Sequence, residues 1–214
     1  CALPLRGYVM DNTKKGYFIA ADASSVFSDG YVGLKGREEY NEAVSHVFDL
    51  MRASYTLFNT GSFGPSLFLS ITIFEEVAKV RTRMWDGERK NVKRGKDPLF
   101  SHQKKHKISV DPLYLSAERL ISAIGNERLQ EIFKGYESGA YSSLREDSLY
   151  FARNIEGLHI PAKVIGLRLA AEHLLMAIEL FCEIFWGTTG EASIICDGTD
   201  DLFVLVADVL KRSD

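Results

Sequence analysis

Glu76 and Lys79 lie three residues apart, and His102 and Lys105 repeat that spacing further along the chain. On a helix, residues three apart project from one edge. One pair would set a carboxylate beside an ammonium, the other an imidazole beside an ammonium. Brought together, the four would suit a phosphate: imidazole moves a proton, and lysine stabilises developing negative charge. The plainer alternative stays open on residue types alone. Glu75 or Glu76 would pair with Lys79 on a solvated helix, contributing about 0.2–0.5 kcal/mol, and His102 would be an ordinary exposed histidine. Other chemistries find little footing. The chain has no H-E-x-x-H zinc pattern, no Gly-Lys-Ser/Thr phosphate loop and no G-x-S-x-G nucleophile turn. No metal or cofactor is expected. His173 falls on an apolar helix face and is expected in the core, whereas His46 opposes the apolar positions of its helix.

The elements that must position these residues read as helices. From Arg37, the residues Tyr40, Val44, Val47, Phe48, Met51, Tyr55 and Phe58 recur at three- and four-residue steps, which predicts an amphipathic helix. Thr60-Gly61-Ser62 makes a small-residue turn. A second helix follows from Pro65 to Trp85, since proline suits a first helical turn. Its buried stripe is Leu67, Ile71, Phe74, Val77, Ala78, Arg81, Met84 and Trp85, and its polar edge is Glu75, Glu76 and Lys79. Pro98 to Ile108 forms a short helix bearing His102 and Lys105. Further helices are predicted from Asp111-Pro112 to Ile124 and from Glu127 to Ser148. Asn154 to His159 reads as a loop. A proline-initiated helix then presents Gly166, Leu169, Ala170, His173, Ala177, Leu180, Phe181 and Ile184 on one face, and Gly187 to Gly190 ends it. The last helix runs from Asp200 to Lys211. Residues 1–36 are a glycine-punctuated extension whose short apolar runs fit helix and strand alike, and residues 37–214 read as a single all-α bundle.

An apolar helix, a glycine turn, an apolar helix with EE-x-x-K at Glu75–Lys79, F-x-H-x-x-K at Phe100–Lys105, and LREDSLYF at Leu144–Phe151 occur in that order. The set resembles the AbiV-type abortive-infection proteins of the HEPN superfamily, over roughly residues 40 to 185. The resemblance implies an HEPN-like bundle with additional helices, pairing as a homodimer, that defends bacteria against phage by shutting down gene expression. Catalytically active HEPN proteins carry an arginine and a histidine four to six residues apart, usually with a polar residue after the arginine. Arg153-Asn154-Ile155-Glu156-Gly157-Leu158-His159 fits that spacing. The implied reaction is metal-independent RNA cleavage, in which a 2′-hydroxyl attacks the adjacent phosphate, His159 moves a proton and Arg153 stabilises the phosphorane-like charge. With thirteen arginines and five histidines in the chain, about one such spacing arises by chance.

Charge points either to a phosphate-bearing partner or to a solvated helix end and loop. Between Lys79 and Lys107, eleven Lys/Arg face only Asp86, Glu88 and Asp97, so a segment of local charge +8 sits in a chain of net charge −3. Lys79, Arg94, Lys104, Lys105 and Lys107 are the expected phosphate contacts around His102, with Glu75 and Glu76 as polar support, and RNA is the expected ligand. Trp85 and Phe100 are the only aromatics there, too few for a stacking platform. Three cysteines without metal spacing, and an N-terminal stretch without a signal-type apolar run, lead to the expectation of reduced thiols in a cytoplasm. Cys182 reads as a small core residue. The helix from Ala162 to Trp186 is interrupted by Lys163, Arg168, Glu172, Glu179 and Glu183, so no membrane association is expected. Two functions remain: an antiphage effector that cleaves RNA under control of a phage-encoded activator, or a non-catalytic helical protein that binds a phage protein or the translation machinery.

Overall fold

The computed structural model describes residues 34, 36–85, 101–155 and 157–213. The Gly61 turn organises the fold. Helix α1 (Gly36–Asn59) starts with Glu38 and Glu39 in its first turn, where carboxylates complement the helix dipole. It buries Tyr40, Val44, Val47, Met51, Ser54 and Phe58, which is the predicted stripe with Ser54 added. At its end Gly61 takes φ 78°, its N–H reaches the Phe58 carbonyl, and the Ser62 N–H reaches that of Leu57. This is a glycine cap that reverses the chain, and α2 (Phe63–Trp85) packs back along α1. Small residues let the two helices close up: Ser54 Oγ sits 2.9 Å from the Ser66 carbonyl oxygen and 2.9 Å from Ser70 Oγ.

Helix α2 is central, packing on α1, on α3 (His102–Val110) and on α8 (Leu167–Phe185). Helix α8 is buried without interruption from Ala170 through Phe181, as expected for a helix that is apolar all round. Two of the carboxylates that interrupt its sequence, Glu172 and Glu179, go inside with arginine partners. Helix α10 (Asp200–Ser213) covers α8 with Phe203, Val206, Ala207 and Leu210. No helix among the described residues is long and apolar enough to cross a membrane.

The all-α prediction holds, but several helices are shorter than the periodicity suggests. Asp111–Ile124 splits into a 3-10 turn (Asp111–Tyr114) and α4 (Glu118–Ile124). Glu127–Ser148 splits at Gly139, φ 81°, into α5 (Asn126–Ser138) and α6 (Ala140–Asp147). A left-handed glycine is a cheap stop, and Gly135 and Gly139 were read through. Asn154–His159, predicted as loop, forms with Ala152 the strand pair β1 (Ala152–Asn154) and β2 (Gly157–His159). The proline-initiated helix breaks into α7 (Pro161–Val164) and α8, and α9 (Gly190–Asp197) went unread. Thr189 caps α9, accepting from the Ala192 N–H at 3.0 Å. At the end of α8, Phe185 is fully buried and Trp186 is exposed.

Candidate functional site: a buried carboxylate that holds a histidine

Glu75 belongs to the buried face of α2, not its polar edge. It lies four residues after Ile71 and three before Ala78, both fully buried, and is itself only 2% exposed. A carboxylate there needs partners. His102 Nδ1 stands 2.7 and 2.8 Å from its two oxygens. Lys105 Nζ is 2.6 Å from Oε2, and Arg145 Nη1 donates to Oε1 at 3.1 Å. His106, fully buried, brings Nε2 to 3.3 Å from Oε1, off line for a hydrogen bond. Burial alone would raise the carboxyl's pKa, but contacts from His106, Lys105 and His102 outweigh it and hold Glu75 well below the usual carboxylate range.

Local structure aims these groups. Ser101 caps α3, accepting from the Lys104 N–H, and Lys105, His106 and Ser109 face α2 from one side of that helix. Ser109 Oγ fixes the register, 2.5 Å from the Phe74 carbonyl oxygen. Arg145 reaches in from α6 with its guanidinium 5.5 Å from the Phe68 ring centre, and its other terminal nitrogen pairs with Glu146.

The tautomer of His102 follows from these contacts. An ionised Glu75 only accepts, so Nδ1 carries the proton, and in the neutral ring Nε2 is left with the lone pair on the opposite edge. The side chain is 47% exposed. Glu75 therefore grips one edge of the imidazole and leaves the ring open to solvent, an arrangement that can exchange a proton with a bound substrate.

Behind this site lies a second buried set. Phe74 and Tyr136 stack at 4.2 Å, and Tyr136 OH is 2.7 Å from Nδ1 of the fully buried His173. Burial, with Arg128 and His106 nearby, lowers the His173 pKa to about 3. Its imidazole is therefore neutral and shares one hydrogen bond with the Tyr136 hydroxyl at Nδ1. Beside it the fully buried Glu172 accepts from Arg128 (2.8 Å from Nη2) and Arg168 (3.1 Å from Nε).

The predicted residues do not all converge. His102, Lys105 and Glu75 come together. Glu76 and Lys79 pair with each other at 2.5 Å, and Lys79 lies one turn beyond Glu75. The Lys105 ammonium is spent on Glu75, which leaves Lys104 and Lys107 as the exposed bases of α3. Arg94, with residues 86–100 of the +8 segment, lies outside the described residues. Arg153 and His159 lie on the β1–β2 ribbon. Arg153 pairs with Leu158 and Ala152 with His159, so consecutive positions put the two side chains on opposite faces. His159 Nε2 donates to the Asp147 carbonyl oxygen at 2.8 Å. Sequence reasoning missed Arg145 and His106. His106 lies four residues after His102, and Arg145 stands within LREDSLYF. Among the described residues no group of His, Cys, Asp and Glu could hold a metal ion.

The three sequence blocks thus meet at one carboxylate: Glu75 from the first, His102 and Lys105 from the second, Arg145 from the third. Residues 36–181, more than half of the chain, match the family model HEPN_AbiV, described as AbiV, and the chain belongs to that family. No curated protein and no solved structure matches.

Proposed function

We propose that this chain is an abortive-infection effector of bacterial antiphage defence that cleaves RNA without a metal, with His102 as its proton carrier. Family membership supports the defence role. The observation that carries the chemistry is the Glu75–His102 contact, because it fixes the imidazole's tautomer while leaving the ring half open. In this reading Nε2 of His102 takes the 2′-hydroxyl proton as the 2′-oxygen attacks phosphorus, the P–O5′ bond breaks, and the 5′-oxygen leaves as a hydroxyl with a proton from water, which gives the cyclic phosphate end. Lys79, Lys104 and Lys107, with Arg94, neutralise phosphates along the approach. Glu75 and Lys105 orient the ring and do not touch substrate. Arg153 and His159 form an alternative pair on the hairpin.

The test is total RNA incubated with the purified chain in chelator, comparing native protein with His102→Gln and with Arg153→Ala/His159→Ala. Cleavage leaving cyclic phosphate ends is expected, reduced about 10²–10⁴-fold by His102→Gln. Loss in the hairpin variant alone would move the chemistry to Arg153 and His159. If the native chain cleaves nothing and His102→Gln still arrests growth when expressed, the non-catalytic reading wins: a helical protein that occludes a phage protein or the translation machinery.

A further inference from the structure

The bases of an unpaired RNA strand stack on flat aromatic side chains, and the basic segment has only Trp85 and Phe100 to offer. The turn after α6 supplies two more. The Leu149 and Tyr150 N–H groups both reach the Glu146 carbonyl oxygen, at 3.1 and 3.0 Å. Ser148 is buried and lies against Gly64 of α2, which anchors the turn. Beyond that anchor Tyr150 is 58% exposed and Phe151 76%, the most open aromatic among the described residues. A partly open stripe of α2 joins this turn to His102. Pro65, Phe68, Thr72, Glu76 and Lys79 recur at three- and four-residue steps and are all half-buried. Helix α6 packs on α2, and its Arg145 donates to Glu75 while lying over Phe68 of the stripe. From Glu75, which holds His102, back to Gly64 is eleven residues, a rise of about 16 Å. Nucleotides lie about 3.4 Å apart along a duplex strand and further apart when extended, so the span is that of a few nucleotides. Arg153 and Lys163, exposed on β1 and α7, offer phosphate partners beyond the turn.

We propose that Tyr150 and Phe151 form a base-stacking subsite for single-stranded RNA, a few nucleotides along the strand from the phosphate on which His102 acts. The inference rests on the RNA reading above and adds the substrate class. A base inside a duplex has no free face to give to an aromatic side chain, so the strand must be unpaired where it meets the turn. Every base has a π-face, so stacking tolerates sequence. The subsite therefore sets how much unpaired strand the chain engages, and not which bases it contains. The stripe of α2 carries the strand between the two points, with Phe68 midway along it.

Binding of a short 2′-O-methyl RNA strand, which no 2′-hydroxyl attack can cleave, tests this against an abasic strand of the same length and charge. The full chain is expected to bind the strand with bases about tenfold or more tighter. Tyr150→Ala/Phe151→Ala should close most of that gap by weakening only the strand with bases, and Phe151→Trp should keep it. Equal affinity of the native chain for the two strands would overturn the subsite, whether or not His102 cleaves RNA. A chain that prefers bases through Tyr150 and Phe151 yet cuts nothing would keep the subsite and lose the nuclease reading. A double variant that turns a native dimer into a monomer while holding its base preference would also overturn the subsite, since the aromatics then form a face between copies of the chain.

Discussion

Replacing Glu75 by glutamine keeps its shape and removes its charge. The Lys105 ammonium, with a side chain 6% exposed, then has no counter-ion, and Arg145, 15% exposed, keeps only Glu146. Removing one partner of a buried ion pair costs about 3–5 kcal/mol, because the charge left behind is desolvated and uncompensated. A domain's whole stability is about 5–15 kcal/mol, so the expected loss is a large share of it. At about 2–4 °C per kcal/mol for a chain of this size, the melting temperature should fall by about 6–20 °C. Arg145's second partner favours the lower half of that range.

Urea unfolding of Glu75→Gln, Lys105→Met and the double variant makes the test specific. Lys105→Met leaves Glu75 with His102 and Arg145, so it should cost less than Glu75→Gln. In the double variant the stranded ammonium is gone, and the two losses should fall short of additive by about 1–3 kcal/mol. Strict additivity, or a Glu75→Gln melting temperature within 2 °C of native, where the estimate starts near 6 °C, would refute the view that this carboxylate is the charge centre of the site.

Two further outcomes are expected. The buried His173 titrates near 3 when folded and near 6.5 when unfolded, so below pH 6.5 the unfolded chain binds the extra proton and stability falls as pH falls, by up to about 1.4 kcal/mol per unit. Glu75 contributes stability of its own that is present above 4.5 and lost below it, and burial raises the Glu179 carboxyl, whose effect above 4.5 runs the opposite way, so the difference between native and His173→Gln, not the window from 4.5 to 6.5 alone, isolates the histidine. His173→Gln should lower the slope of the urea midpoint across that window, and an unchanged slope would contradict the assignment. At Gly64 an added Cβ would stand 2.5 Å from the Ser148 carbonyl oxygen and 3.3 Å from Pro161 Cβ. Gly64→Ala should therefore cost about 1–3 kcal/mol in urea unfolding, whereas a neutral result would mean α2 is not in close contact with the segment after α6.

The long helices were legible because burial imposes its period on sequence. Tyr40, Val44, Val47 and Met51 all lie on the buried face of α1, and the Gly61 turn falls where small residues announce it. Reading failed where one residue's backbone outweighs its neighbours' pattern. Gly139 ends α5 at a left-handed turn although Leu144 continues the apolar spacing on its far side. The hairpin escaped because its strands are three residues long, with Leu158 and Ile155 facing solvent, and so carry no alternation to read.

The site was half legible for a related reason. The spacing of His102 and Lys105 puts them on one edge of α3, but it led to the expectation of a phosphate between them, with the α2 carboxylates as polar support, and not to their pairing with Glu75. What failed was the choice between adjacent carboxylates. Glu75 and Glu76 differ by one residue and so by about 100° around the helix, which turns Glu75 toward Phe74's buried neighbours and Glu76 toward Lys79. Arg145, seventy residues away, could not be placed without the tertiary fold. Stability is a poor reason for such a cluster, since apolar groups of similar volume often serve as well or better in a buried position. What an apolar replacement cannot do is accept the Nδ1 proton of His102 and so fix which nitrogen faces solvent. His106 and Lys105 help keep Glu75 ionised for that task, and a protonated Glu75 would no longer dictate the tautomer.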